Sequence, residues 1–387
     1  MQEAETAPII RFFCQSAELN ILLIFVFKFS VGMKRFFYVF LFMASAGFYA
    51  CSNDIDLTAT YKDITVVYGL LDPKAEGDTN WIRIQKAYLG DGDALMFGQI
   101  SDSLYYDTLF TYLLAYNASG TKIDSIPLEK VIDPFPKDSG VFAFDKNILY
   151  RTTEQINSNY KYRLVIIKPT KQDTTYSETI LCKNFFMSYP PNSSTIINFE
   201  DPTGINKNPT ITVRWTHDVN TSAYQLGFRF NYQEWIVSDP GNKVMKSFTY
   251  YFPMFTIFNE GGGYNAEHYD VGANLVKHAM KKTDFYGAIV SNIAADPPGT
   301  PAMQQHVRSY YSMDFVVLQA TEELYKYITI NKPSLSYVQK VSDYTNIEDG
   351  MGIFGSRSSS GINDLSITQQ TRDSLRLGHF TVNLNFQ

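Results

Sequence analysis

From residue 64 onward the chain is a succession of short runs in which β-branched and aromatic side chains alternate with polar ones, and turn residues close most of the runs. A period of two is that of a pleated strand, and the same residues laid on a helix would scatter their apolar groups around its whole circumference. Residues 64–71 end at Asp72-Pro73, and residues 81–89 alternate apolar and polar side chains, Ile82-Arg83-Ile84-Gln85 most clearly. Further strands are expected at 105–116, 122–128, 141–144, 161–168 and 175–182, with Asn117-Ala118-Ser119-Gly120 as a turn between two of them. The chain carries 29 Phe and 27 Tyr, side chains that suit half-buried pleated surfaces. Short strands with few helix-length segments between them imply antiparallel sheets packed face to face.

Tyr189-Pro190-Pro191-Asn192-Ser193-Ser194 is a cluster of breakers and divides the body into residues 56–188 and 189–387. After it, strands read at 195–199, 209–215 and 223–232. A strand ending in Trp215, followed by one alternating Tyr224, Leu226, Phe228, Phe230 and Tyr232, resembles the central sheet of a fibronectin type III module and places Trp215 in a core. Two segments have helical spacing. In 271–282 the apolar residues are Leu275, Val276, Ala279 and Met280; in 321–328 Thr321 is the expected N-cap, with Glu322 and Glu323 in the first turn. Gly261-Gly262-Gly263 and residues 296–301 read as loops, 310–319 as a strand, and 380–386 as a closing strand. The expected fold is all-β: two immunoglobulin/fibronectin-type-III-like β-sandwich domains, the second with inserted short helices.

The first fifty residues read as an address. Apolar bursts at 21–27 and 36–48 flank Lys28, Lys34 and Arg35, and neither reaches the roughly 18 apolar residues of a spanning helix. Met33-Lys34-Arg35, the apolar stretch 36–43 and the small residues Ala44, Ser45, Ala46 and Gly47 have the order of a secretory signal. Met33 then reads as the initiator, 1–32 as an extension and 33–50 as the signal peptide. Phe48-Tyr49-Ala50-Cys51-Ser52 resembles a bacterial lipobox, departing from it at Phe48 and Tyr49, where Leu and a small residue are usual. Cys51 is thus the expected lipidation site and 51–55 the anchor. The acids Asp54 and Asp56 beyond it are similar to the export signal of Bacteroidota surface lipoproteins. Acyl chains worth about 0.8 kcal/mol per buried CH₂ would hold the body on a membrane, partner to Cys51.

Charge and chemistry exclude more than they assign. Lys and Arg total 33 against 39 Asp and Glu, a net charge of −6 that offers nucleic acid no basic field. Cysteines at 14, 51 and 182 make neither a disulfide framework nor a CxxC metal motif, and Cys182 lies in a strand-like run where burial is expected. The five histidines, 217, 268, 278, 306 and 379, show no metal-like spacing. Residues 267–270 read as a loop entering a helix. Gly90-Asp91-Gly92-Asp93 reads as a tight turn, because the downstream Gly and Glu of an EF-hand are missing. There is no Gly-x-Ser-x-Gly elbow, and no catalytic residue, metal or cofactor is expected. Tyr250, Tyr251, Phe252, Phe255 and Phe258 read first as core, with a sugar-stacking or partner-facing surface as the sharper alternative; Tyr251 and Tyr264 are the candidates on it.

Three stretches together carry a family resemblance: 64–72 after the anchor, 82–88, and the late run Tyr344-Thr345-Asn346-Ile347-Glu348-Asp349-Gly350-Met351-Gly352-Ile353-Phe354-Gly355. The chain resembles the Bacteroidota lipoproteins grouped as domain of unknown function 4249, departing at Asp349, where a second Gly is expected. The resemblance implies an outer-membrane, surface-exposed lipoprotein often encoded beside TonB-dependent transporters, with no established activity. Read without the family, Gly350, Gly352 and Gly355 let the backbone drive Ile353 and Phe354 into a core, with a loop presenting Phe354 to a partner as the second reading. The function expected is a non-enzymatic accessory or ligand-binding partner of a transporter. The rivals are a carbohydrate-active hydrolase using Glu260, Glu267, Asp270 or Asp296, which would need paired carboxylates, and an adhesin-like surface module.

Overall fold

The computed structural model describes residues 63–87, 96, 98–140, 143–170, 172–259, 261–331 and 344–387. The segments 1–32, 33–50 and 51–55, Cys51 with them, lie outside the described residues, as do residues 90–93 and Glu260. The first half comprises β1 (Thr65–Leu71), β2 (Asn80–Lys86), the one-turn helix α1 (Ser101–Leu104), β3 (Phe110–Tyr116), β4 (Lys122–Pro127), β5 (Glu129–Ile132), β6 (Ile148–Thr152), β7 (Lys161–Lys168) and β8 (Asp173–Ile180). The second comprises β9 (Met187–Tyr189), β10 (Ile196–Ile197), β11 (Thr210–Thr216), β12 (Ala223–Ile236), β13 (Val244–Tyr251), β14 (Tyr269–Asp270), β15 (Leu275–Lys281), α2 (Lys282–Asn292), β16 (His306–Ala320), α3 (Glu322–Ile330), β17 (Gly350–Ile367) and α4 (Gln369–Leu377). The fold is mainly β, with antiparallel sheets and few helices, as the alternation requires.

One long sheet runs in the order β13-β12-β16-β17-β1-β2-β6-β5, with β10 added beside β17; two four-stranded sheets, β4-β3-β7-β8 and β14-β15-β11-β9, cover it. Each covering sheet shares a core with one half of the long one. Val67, Ile82, Ile84 and Tyr150 meet Leu113, Leu164 and Ile166 in the first core. In the second, Val213, Trp215, Val276 and Met280 meet Leu226, Phe228, Phe230 and Phe315. Trp215 is fully buried and sits edge-on to Tyr224, its ring centroid 5.7 Å away. The cores divide between Leu181 and Phe185, yet residues Lys62–Gln387 form a single compact unit. The reason is β17. Its first part, Gly350 to Ser356, pairs in parallel with β1; from Arg357 on it pairs antiparallel with β16. Ile347 and Phe354, which a division at 188/189 places in the second domain, are therefore buried in the first core.

Two glycines let β17 lie this close to both neighbours. Gly352 has φ +105°, and a Cβ there would stand 2.0 Å from the Val67 carbonyl oxygen; a Cβ on Gly361 would stand 2.0 Å from that of Phe315. At the seam the Ser356 hydroxyl donates to the Leu71 carbonyl (2.8 Å) and accepts from the Cys182 N–H (3.1 Å). Cys182 is buried, and burial pushes its thiol up to about 12, so it is a packed side chain rather than a nucleophile.

Four readings are corrected. Residues 271–282 hold no helix: β15 occupies Leu275–Lys281 and pairs along its length with β11, and the helix starts at Lys282. Val276, His278 and Met280 face one way and Lys277, Ala279 and Lys281 the other, an alternation hidden by the coincidence of Leu275, Val276, Ala279 and Met280 with helical spacing. Residues 267–270 consequently enter a hairpin, not a helix. The expected closing strand at 380–386 is a 3₁₀ turn (Val382–Leu384) that buries Leu384 and Phe386 and leaves Val382 exposed. Ala143 and Phe144 lie in a loop, with Phe144 exposed.

Candidate functional site

The residues singled out in the sequence do not converge on one surface. Phe354 is fully buried in the first core, so the reading that presents it to a partner is wrong. The late motif is the start of a strand: Asn346 makes a side-chain pair with the Phe354 backbone, accepting its N–H (2.9 Å) and donating to its carbonyl (2.6 Å). Gly350 and Gly352 serve backbone approach to Thr65 and Val67 rather than a ligand. Asp349, the position where glycine was expected, has φ +53°, the left-handed conformation glycine favours. Tyr251 is exposed on the edge strand β13, its ring lying over Gly227. Tyr264 is exposed at the hairpin made by the Phe258–Tyr264 bridge, its ring stacked on Phe258 at 5.1 Å; Gly261 and Gly263 form the tip. Phe252 is buried and Phe255 half-buried, as core.

Two acids of the hydrolase reading, Asp296 and Asp270, are employed locally. The Asp296 carboxylate accepts from the His306 backbone (2.8 Å) and contacts its ring Nδ1 (2.5 Å); burial opposes its ionisation, and these contacts outweigh burial and hold it below the usual range. Asp270 caps the turn at Ala273. Among the described residues no three His, Cys, Asp or Glu side chains gather as a metal site would require. Ring stacking that sequence spacing concealed does occur. His268 stacks on Phe255 at 4.0 Å and lies parallel to His278 at 5.7 Å, because β14 and β15 form a hairpin. Burial first, then the neighbouring His268 charge, pushes His278 down to about 4.

The groove that best fits a functional surface was not anticipated. β1 turns Thr65, Val67 and Leu71 inward and Val66, Tyr68 and Leu70 outward; β2 turns Ile82 and Ile84 inward and Trp81 outward. Tyr68 pairs with Arg83, which sets Tyr68 and Trp81 diagonally on one face, about 7–8 Å apart at their Cα atoms. Arg151 of β6 pairs with Trp81, lays its guanidinium over the indole (5.5 Å) and is held by Glu129 (2.8 Å). Phe135 meets Trp81 edge-on at 5.1 Å.

The opposite wall is α3. Thr321 is its N-cap by position, but its hydroxyl makes no cap hydrogen bond; it accepts from the Ser356 N–H (3.2 Å) and donates to the Ser356 carbonyl (3.4 Å), fastening the helix to the seam. Leu324 packs where Gly355 has no side chain, and Tyr327 meets Tyr68 edge-on at 6.5 Å. Between helix and sheet lies a cavity of about 1000 Å³ lined by Tyr68, Trp81, Phe135, Tyr327, Arg151 and Arg357, among others. It shares Leu70, Asp72, Leu324, Ile328 and Arg357 with a second of about 400 Å³ reaching Tyr224 and Met254, and Tyr68 and Tyr327 with a third of about 390 Å³. The three make one groove along α3, across the seam between the two cores.

Its charges are Lys74, Arg151 and Arg357 against Asp72. Burial lowers the Lys74 ammonium and the Asp72 charge partly offsets this. Arg357 is exposed, without an ion-pair partner among the described residues. Next to it, Ser358 lines the second cavity; it is 2 % exposed and its hydroxyl has no hydrogen-bond partner. The signal that could have exposed the groove is in β1, where Val66, Tyr68 and Leu70 are apolar on the face that an open sheet leaves to water. No family model matches the chain, and no curated protein matches it either.

Proposed function

We propose that this chain is a non-enzymatic binding module of the cell envelope, held on the outer membrane by acyl chains at Cys51, and that it serves as an accessory of a TonB-dependent transporter. The observation that carries the binding role is the groove along α3, whose largest cavity holds four aromatic side chains with a positive excess on a chain of net charge −6. Binding is favoured over turnover because the lining of its three cavities contains one carboxylate, Asp72, and no imidazole or thiol that could pass a proton or attack a substrate. The anchor, and membership of the family of domain of unknown function 4249, are supported by the order of basic, apolar and small residues before Cys51 and by the three stretches that resemble that family.

The test is fractionation of native cells fed a labelled fatty acid. Wild type is expected to carry label and sediment with outer membranes, and Cys51→Ala to do neither. Identical behaviour of the two overturns the anchor. Solubilised wild type is expected to bring a large β-barrel protein with it, and its recovery alone would overturn the transporter role.

A further inference from the structure

We infer that the groove along α3 receives an extended peptide segment of a partner protein, one that sets apolar side chains on the two ring pairs and an acidic side chain against Arg357. This deepens the binding role proposed above by naming the class of partner.

Four observations converge. The groove is long and open-ended, three cavities in series, where a small metabolite would need a single enclosed pocket. Its walls are aliphatic as well as aromatic: Leu70, Leu324, Ile328 and Ile353 stand beside the rings. Sugar hydroxyls set against these aliphatic walls would lose hydration, whereas apolar peptide side chains gain by burial there. The diagonal step of about 7–8 Å between Tyr68 and Trp81 is close to the about 6.6 Å that separates alternate side chains of an extended peptide. Finally, the charge is specific in place. Arg357 is exposed at the junction of the two larger cavities and has no ion-pair partner among the described residues. A carboxylate can accept two parallel hydrogen bonds from that guanidinium, which a neutral or basic segment cannot do.

Pairing by strand addition is not the mode here. β1 is already bonded on both sides, to β17 and to β2, so recognition must run through side chains.

The experiment uses the full-length chain and fluorescent peptides of roughly ten residues, about 33 Å extended, blocked at both ends and alternating Phe or Leu with Glu. Controls replace Glu by Lys, or Phe and Leu by Ser; an oligogalacturonate competes as an acidic sugar. Saturable binding of the Glu peptide is expected, weakened about tenfold or more by Arg357→Gln and by Tyr327→Ala, and weakened by salt. Arg357 is exposed and Tyr327 half-buried, and unchanged melting temperatures of the variants confirm that they fold. Equal binding of the Glu and Lys peptides, indifference to Arg357→Gln, or binding of oligogalacturonate alone overturns the peptide assignment. None of these outcomes touches the anchor, which cell fractionation tests separately.

Discussion

Gly352→Ala isolates the contact on which the arrangement of the two cores depends. Gly352 lies at φ +105°, and an added Cβ would be 2.0 Å from the Val67 carbonyl oxygen, where anything under 3.0 Å forces a shift. The atom it would meet is backbone, so no side chain can swing away; β1 and β17 must separate by about 1 Å. The left-handed backbone costs an L-residue about 1–2 kcal/mol, and losing two or three ladder hydrogen bonds adds about 1 kcal/mol each, a total of about 3–5 kcal/mol. That is a large share of the 5–15 kcal/mol typical of a folded domain, so the first core should loosen while the second remains. Urea unfolding followed by tryptophan fluorescence reports on both, since Trp81 lies on β2 and Trp215 in the second core. Gly355→Ala is the control on the same strand: its Cβ would meet Thr321 and Leu324 at ordinary contact distances of 3.5–3.6 Å, and it should cost less than about 1 kcal/mol. Equal midpoints for the two variants would refute the reasoning.

Other parts of the chain give equally direct expectations. Burial holds His278 down to about 4 in the fold, against its ordinary 6.5 when unfolded; its contribution is fully present above pH 6.5 and declines by roughly 2–3 kcal/mol as pH falls to 4. His278→Phe should flatten that part of the stability profile, and an unchanged slope would rule out His278 as its source. Arg308 is 3 % exposed, donates to Glu234 (2.8 Å) and to the Leu384 carbonyl (2.7 Å), and its replacement by Leu should cost about 3 kcal/mol in a chemical melt. A loss below about 1 kcal/mol would mean that Lys246, the other partner of Glu234, suffices. Phe354→Ala should cost about 3–5 kcal/mol in a chemical melt as a core truncation, and a cost below about 1 kcal/mol would refute its place in the core. The Cys182 thiol should react with a disulfide reagent at pH 8 only after denaturation, so wild type and Cys182→Ser should give the same native titre.

What the sequence revealed and concealed follows from the range of the interactions. β7 was read at its full extent and α3 within two residues, because alternation, capping and helical spacing are local. β15 was mistaken for a helix because its apolar residues satisfy both periods, and only pairing with β11, distant in sequence, decides between them. The 380–386 alternation was real but could not become a strand, since Arg308 and Asn385 fix that end as a turn with a single bridge. Phe354 reads as apolar and special from the sequence, but the core that buries it belongs to the first half of the chain, which β17 joins by pairing with β1, with Ser356 bonded to Leu71 across 285 positions.

The same long-range pairing explains why the groove lies where it does. β17 leaves β1 at Ser356 and joins β16 at Arg357, so the outer face of the long sheet has a seam there, and Thr321 pins the start of α3 to it. The helix covers only one side of β1, leaving Tyr68 and Trp81 beside a gap that neither core fills. Arg357 is the first residue past the change of partner, which places an exposed cation at the end of an aromatic floor contributed by the other half. Neither sandwich alone contains the whole groove: Tyr68, Trp81, Phe135 and Arg151 come from one, and Tyr224, Met254 and Gln319 from the other. A binding surface built across a shared strand is held by the strand itself, and a substitution that loosens β17 should therefore weaken binding before it unfolds the second core.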